Sequence, residues 1–241
     1  MKKFSTVLLI LAICSSSFAQ TGKKPIKTQR FGFRASPNFC WIKSTDKLLV
    51  NDGVKMAFSY GFNFQEKINK TLWYEIGMDI SRIDGRLTNN YPQIFKQVTP
   101  LNADTTNKVS YSMKLNYIEI PISFVGKTNE IGYMTYTFQG GLTPAILLSQ
   151  NATIKKADSV GGDFKGKLNS NRPDDFIATS DDVSFFRMAF VMGAGMEYAL
   201  TKDVSIVAGI RYSNGMFRTN KNKAYDSYRT NYFAINVGIL F

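Results

Sequence analysis

The final stretch of the chain, Arg229 to Phe241 (RTNYFAINVGILF), constrains the fold more than any other. Phe233, Ile235, Val237, Ile239 and Phe241 occupy every second position, with Tyr232, Ala234, Asn236 and Gly238 between them. A period of two over this length specifies a β-strand with one apolar face. Soluble domains usually finish in a frayed polar tail, whereas this chain finishes on an aromatic residue of the apolar face. A C-terminal strand of a soluble sandwich or barrel would satisfy the same pattern, so the rest of the chain has to arbitrate.

At the other end, Lys2 and Lys3, an apolar run from Val7 to Ile13 and the small-residue site Ser17-Phe18-Ala19 read as a secretory signal spanning 1–19. Cys14 follows Leu11-Ala12 as in a lipoprotein site, but Ile13 stands where a small residue is required. A basic leader, 20–29, precedes the barrel domain expected over 30–241. No segment holds 18 consecutive apolar residues, so a helical membrane span is excluded. A closed barrel is the other way to pair every backbone group in lipid. After export Cys40 is the one remaining cysteine, which excludes an intrachain disulfide.

Strand-like alternation recurs at Phe31–Ile42, Val54–Phe64, Leu72–Ile80, Val109–Val125, Ile131–Leu147, Val183–Leu200 and Val204–Tyr212 before the closing strand. Pro37 suggests a bulge in the first of these. The connections alternate in length. EKINK, GKTNE and TKD are short, while the polar segments after Ile42, Asp84 to Lys108, Leu148 to Asp182 and Phe217 to Tyr228 are long. About eight antiparallel strands with short turns at one end and long loops at the other give the expected fold class: an all-β, transmembrane, up-and-down barrel in the outer membrane. Phe62, Phe64, Trp73, Tyr74, Phe124, Tyr133 and Phe241 would form an aromatic girdle near the short turns. A soluble periplasmic barrel would turn the same apolar face inward around a ligand.

With the apolar face toward lipid, Arg34, Glu75, Asp79, Glu119, Arg187, Glu197 and Arg211 point into the lumen. Eight strands leave an interior that side chains fill, and charges there must be paired. A salt-bridged lumen that fixes the barrel is the expectation, with an ion path or small-solute channel as the alternative. Histidine is absent, which removes Ser-His and Cys-His nucleophile pairs and the commonest transition-metal ligand. Glu75 and Asp79 could be imagined as a hydrolytic pair, but their spacing is ordinary for a lumen wall. No catalytic, metal or cofactor site is assigned, and no cofactor is expected. The net charge is +12, of which Lys2 and Lys3 supply two, leaving +10 after export. No nucleic-acid-binding motif accompanies it, so basic loops at an anionic lipid surface, or an acidic partner, are the better reading.

Tyr117-Ile118-Glu119-Ile120-Pro121-Ile122 resembles the Tyr-x-Glu-x-Pro motif in the fourth strand of the PorT-like outer-membrane barrels of Bacteroidota. The opening FGFRASPN and the aromatic terminus are similar to that family as well. The resemblance carries over Tyr117, Glu119 and Pro121, read as structural residues: Glu119 accepting lumen hydrogen bonds, Pro121 marking a break in the ladder. It implies an accessory role, with components of the type IX secretion apparatus as partners, and Phe241 as a signal read by the barrel-assembly machinery.

Overall fold

Alternation of large apolar and small or polar residues leaves the backbone no better arrangement than paired strands, and the described residues form them. The computed structural model describes residues 28–44, 49–89, 109–156, 164–166, 183–201, 203–219 and 228–241. The expected signal, residues 20–27 of the expected leader and most of the three longest loops lie outside the described residues, whereas Gln29, placed in the leader, opens β1. The strands are Gln29–Ser44 (β1), Leu49–Asn51 (β2), Lys55–Lys67 (β3), Leu72–Asn89 (β4), Val109–Glu119 (β5), Ile122–Lys127 (β6), Met134–Lys156 (β7), Phe164–Gly166 (β8), Phe186–Ala199 (β9), Ser205–Gly215 (β10) and Tyr228–Leu240 (β11). No helix occurs among the described residues.

The ladder closes on itself. β1 pairs β3, β3 pairs β4, and β4 pairs the consecutive segments β5 and β6. Those pair β7, then β7 pairs β9, β9 pairs β10, β10 pairs β11, and β11 returns to β1. With β5 and β6 forming one stave, the antiparallel ring has eight staves. β2 and β8 are short additions on β4 and β7 at the long-loop end. The closing strand is locked to its last residue: Phe241 N donates to Phe31 O at 2.7 Å, and Phe31 N to Phe241 O at 3.2 Å.

Short turns carry their own local chemistry. Asn69 Oδ1 accepts from the amides of Thr71 (2.9 Å) and Leu72 (2.8 Å), and Thr201 Oγ1 accepts from the amide of Val204 at 3.0 Å. Such side-chain acceptors hold a reversal with few residues. Gly132, at φ +67°, supplies the left-handed residue in the turn before β7.

Several expectations need correction. β4 continues to Asn89, because Ile83 and Leu87 keep the inward face while Arg82 and Arg86 point out. Outward polarity there marks a strand leaving apolar surroundings, not its end. β7 likewise continues past Leu147 to Lys156. Pro37 makes no bulge: it pairs Phe58 in unbroken register, and the β11 register is the same on both sides of it. The register shift lies instead between Asn116 and Tyr117, against β7. At Pro121 the strand assignment does break. The missing N–H leaves a gap, yet Pro121 O still accepts from Gly77 N at 3.0 Å, and both flanks keep their pairing.

Outside the ring, Phe33, Phe58, Phe138, Ile210 and Val237 are exposed, each between 48 and 70 %. Single exposed apolar residues are normal, but a continuous belt of them is not stable in water. Phe31 and Phe62 stack at 5.9 Å between centroids, and Tyr74–Phe124 and Tyr133–Tyr198 each approach to 6.2 Å, forming an aromatic ring at the short-turn end. Trp73 does not belong to it. Its odd position on β4, shared with Glu75 and Asp79, turns it inward, where it is buried under the Lys127 ammonium, 4.4 Å from the ring centroid.

Candidate functional site

Strand parity puts one set of side chains inside the ring, and the lumen they fill has three levels. Nearest the short turns, Arg30 Nη1 donates to Glu197 Oε2 at 2.7 Å and Nη2 to Ser205 Oγ at 2.6 Å. Lys127 Nζ donates to Glu197 Oε1 at 2.5 Å and to Gln65 Oε1 at 2.7 Å. Glu197 is 5 % exposed, so the pair of cations compensates a carboxylate that could not stand there alone.

One level in, Glu75 accepts from Gln65 (2.7 Å), Gln139 (2.8 Å), Asn63 (3.0 Å) and Arg34 Nη1 (3.1 Å). Arg34 grips Asp79 with two bonds, Nη2 to Oδ2 at 2.6 Å and Nε to Oδ1 at 3.0 Å. This fork-to-carboxylate geometry is the strongest form of the interaction. It depends on missing side chains opposite: a Cβ on Gly61 would collide with the Met78 carbonyl and Asp79 Oδ1. Arg211 Nη1 reaches the same Oδ2 from β10, at 3.5 Å.

The third level is organised by Glu119, fully buried, whose Oε1 accepts from Arg187 Nη1 at 3.0 Å and Oε2 from the Tyr232 hydroxyl at 2.8 Å. Arg187 also donates to Thr230 Oγ1 (3.1 Å), Thr230 O (3.2 Å) and Ser213 Oγ (3.2 Å), and its guanidinium lies 5.7 Å from the Tyr232 ring centroid. Asp79 and Glu119 are direct cross-strand partners. Like charges in that relation are destabilising, and here Arg34, Arg211 and Arg187 stand around them.

Beyond Glu119, toward the long loops, the lumen turns apolar. Cys40, Ile83, Leu115, Tyr117, Ala145 and Ala234 form one buried cluster, and Ile42, Leu87, Met113 and Tyr228 another. The sequence reading ends β4 at Ile80, before Ile83, and places Leu87 in the loop from Asp84 to Lys108, so it gave no warning of this layer. A cavity of about 70 Å³ lies between the glycine wall Gly193, Gly195, Gly209 and Gly238 and the polar side chains Glu75 and Gln139. That is room for a few water molecules.

The structure therefore brings all seven of the sequence-derived charged residues into the lumen, on three levels: Glu197 nearest the short turns, then Arg34, Glu75, Asp79 and Arg211, then Glu119 with Arg187. Tyr117 and Glu119 of the Tyr-x-Glu-x-Pro segment point inward, as does Pro121, but Tyr117 makes no hydrogen bond through its hydroxyl. Arg30, Lys127 and Tyr232 complete the arrangement and were missed. Their parity announces them: Arg30 shares even positions with Arg34, Lys127 odd positions with Glu119, and Tyr232 lies on the inward face of the closing strand. Arg30 and Lys127 sit at strand ends: Arg30 falls just after the expected leader and before the strand read from Phe31, and Lys127 in the GKTNE turn. Among the described residues no group of three or more potential metal ligands occurs.

A closed ring of eight antiparallel staves, apolar outside and ionic within, defines a small outer-membrane β-barrel. The family model for the outer membrane protein beta-barrel domain matches residues 18–216, and the chain belongs to that family and to the outer membrane. Among solved structures, Neisserial surface protein A is 14 % identical, with 88 % of this chain and 96 % of that one covered and a TM-score of 0.42. OprG from Pseudomonas aeruginosa is 10 % identical, with 88 % and 94 % covered and a TM-score of 0.41. The outer-membrane protease OmpT from Escherichia coli is 9 % identical, with 93 % and 99 % covered and a TM-score of 0.37. Among curated proteins none matches.

Proposed function

We propose that this chain is a non-conducting, non-enzymatic barrel with a structural or accessory role in the envelope. The observation that carries this reading is the Glu119–Arg187–Tyr232 cluster, with its members at most 4 % exposed, lying beneath the apolar layer around Ile83 and Leu115. An ion crossing the barrel would have to break the cluster and then traverse a dry layer. Glu75 and Asp79 are saturated by arginine and amide donors, so neither is poised to activate water. Single-channel recording of the refolded protein in a planar bilayer tests this. The expected trace is flat, and unitary current steps at moderate voltage would return the lumen to the small-solute channel.

The finer proposal is a PorT-like accessory barrel serving a type IX secretion apparatus. Its support is the Tyr117-x-Glu119-x-Pro121 segment, with the opening strand and aromatic terminus. Comparing the secreted proteins of a deletion strain with its parent, at intact outer-membrane permeability, checks it. Precursors trapped inside the cell are expected, and an unchanged secreted profile would remove the secretion role.

A further inference from the structure

We propose that Lys43, Arg218 and Arg229, at the long-loop end of the seam where β11 returns to β1, bind the phosphate-bearing headgroup of an anionic outer-leaflet lipid. Lys43 and Arg229 are direct cross-strand partners. The Thr219 amide donates to the Tyr228 carbonyl at 2.8 Å, which sets Arg218 at the height of Arg229 on its other flank. Three cations from neighbouring segments thus stand side by side, and all three are exposed. Like charges directly opposite one another destabilise a sheet, and a bound anion relieves them.

Other cations at this end have a carboxylate of their own. Arg82 Nε donates to Asp84 Oδ1 at 2.8 Å, Arg86 reaches Asp52 at 3.6 Å, and Lys114 stands in register with Asp84. Among the described residues no carboxylate meets Lys43, Arg218 or Arg229. The seam is where this end of the barrel offers positive charge without a partner.

The surroundings choose among anions. Trp41, two residues before Lys43 and on the same face of β1, stacks on Tyr212 of β10 with ring centroids 6.0 Å apart and planes at 19°. Met216 and Phe217, just before Arg218, are 46 and 54 % exposed. Aromatic residues of this kind mark the boundary between hydrocarbon and headgroups. The long loops of such barrels lie on the outer side, so the three cations stand at headgroup level of the outer leaflet. Inorganic phosphate or an acidic peptide would answer the charges alone. An amphiphile answers both halves, with its acyl chains along the apolar belt and its phosphate oxygens on the guanidinium forks and the lysine, the pairing for which arginine geometry is suited.

The mature barrel, refolded in detergent, is tested with lipid A as the probe and its dephosphorylated form as the control, bound lipid being counted by native mass spectrometry. Lipid A should stay on the wild-type barrel, whereas the dephosphorylated form, with the same acyl chains, should not. Lys43→Gln, Arg218→Gln and Arg229→Gln combined should weaken retention about a hundredfold, each basic residue at an anionic lipid surface being worth a factor of about five. Arg86→Gln, on another stave and with its charge already met by Asp52, should leave retention unchanged. Wild-type retention in the triple variant, or an equal loss in Arg86→Gln, overturns the assignment. Displacement of lipid A by inorganic phosphate would mean a free-anion site, and binding of polyglutamate in place of lipid A would give the patch to an acidic protein; each overturns the lipid assignment. Should the triple variant fail to fold, Lys43→Gln alone decides, with a loss of about fivefold expected and an unchanged affinity overturning the proposal. None of these results touches the lumen, on which the non-conducting reading rests.

Discussion

The two halves of the lumen solve the same problem in opposite ways. Toward the short turns the ring is filled by ion pairs and amides, from Arg30 and Glu197 up to Arg187 and Glu119. Toward the long loops it is filled by Ile42, Ile83, Met113 and Leu115, packed as in a soluble core. The apolar half gains from excluding water and tolerates imperfect partners. In the ionic half each group depends on a specific partner, because a buried charge left alone costs far more than its pair contributed. The ionic half is therefore the more fragile to single changes and the less fragile to paired ones.

The severest test of that contrast is Arg187→Met. It leaves Glu119 with the Tyr232 hydroxyl as its hydrogen-bond donor and should cost about 3–5 kcal/mol, read as a lower urea midpoint for the refolded barrel. A loss below about 1 kcal/mol would mean that the ion pair does not hold this level of the lumen. Next comes Leu115→Ala in the apolar half, where lost contact and a residual cavity predict about 2–5 kcal/mol. That loss should be insensitive to salt, unlike any that reaches partly exposed charges such as Arg30. Combining Glu119→Leu with Arg187→Met sharpens the comparison further. Replacing both members by apolar groups extends the upper half downward, and stability should return to within about 1 kcal/mol of wild type. If the double variant is as unstable as the single one, the hydrogen bonds to Ser213 and Thr230 matter more than the charges. The smallest effect belongs to Arg86→Ala. Its ion pair with Asp52, at 3.6 Å, has side chains 32 and 45 % exposed, and the expected loss is about 0.2–1 kcal/mol, fading in high salt.

How much of this was legible beforehand follows from which signals are local. Alternation at Phe58, Tyr60 and Phe62 and the contrast of TKD with the long loops are properties of neighbouring residues, so the barrel class, its strand number and its turn pattern could be read directly. Arg34, Asp79 and Glu119 could be placed inside by parity. Strand ends could not be placed, because Asp84 and Arg86 look like loop residues once a strand has passed beyond apolar surroundings. Trp73 shows the same limit from the other side: residue type suggested an interfacial girdle, while parity and the Lys127 ammonium placed it inside.

The sequence by itself determined that this chain forms paired strands with one apolar and one polar face, and which charges share the polar face, since a period of two is fixed by backbone geometry alone; it did not by that period fix which face meets lipid. The tertiary structure decided which of those charges meet. Arg187 and Glu119 are separated by 68 residues, and Tyr232 lies 113 from Glu119. Such distances are bridged only when the closing strand fixes the ring's register and brings side chains from opposite staves into one narrow, water-poor interior.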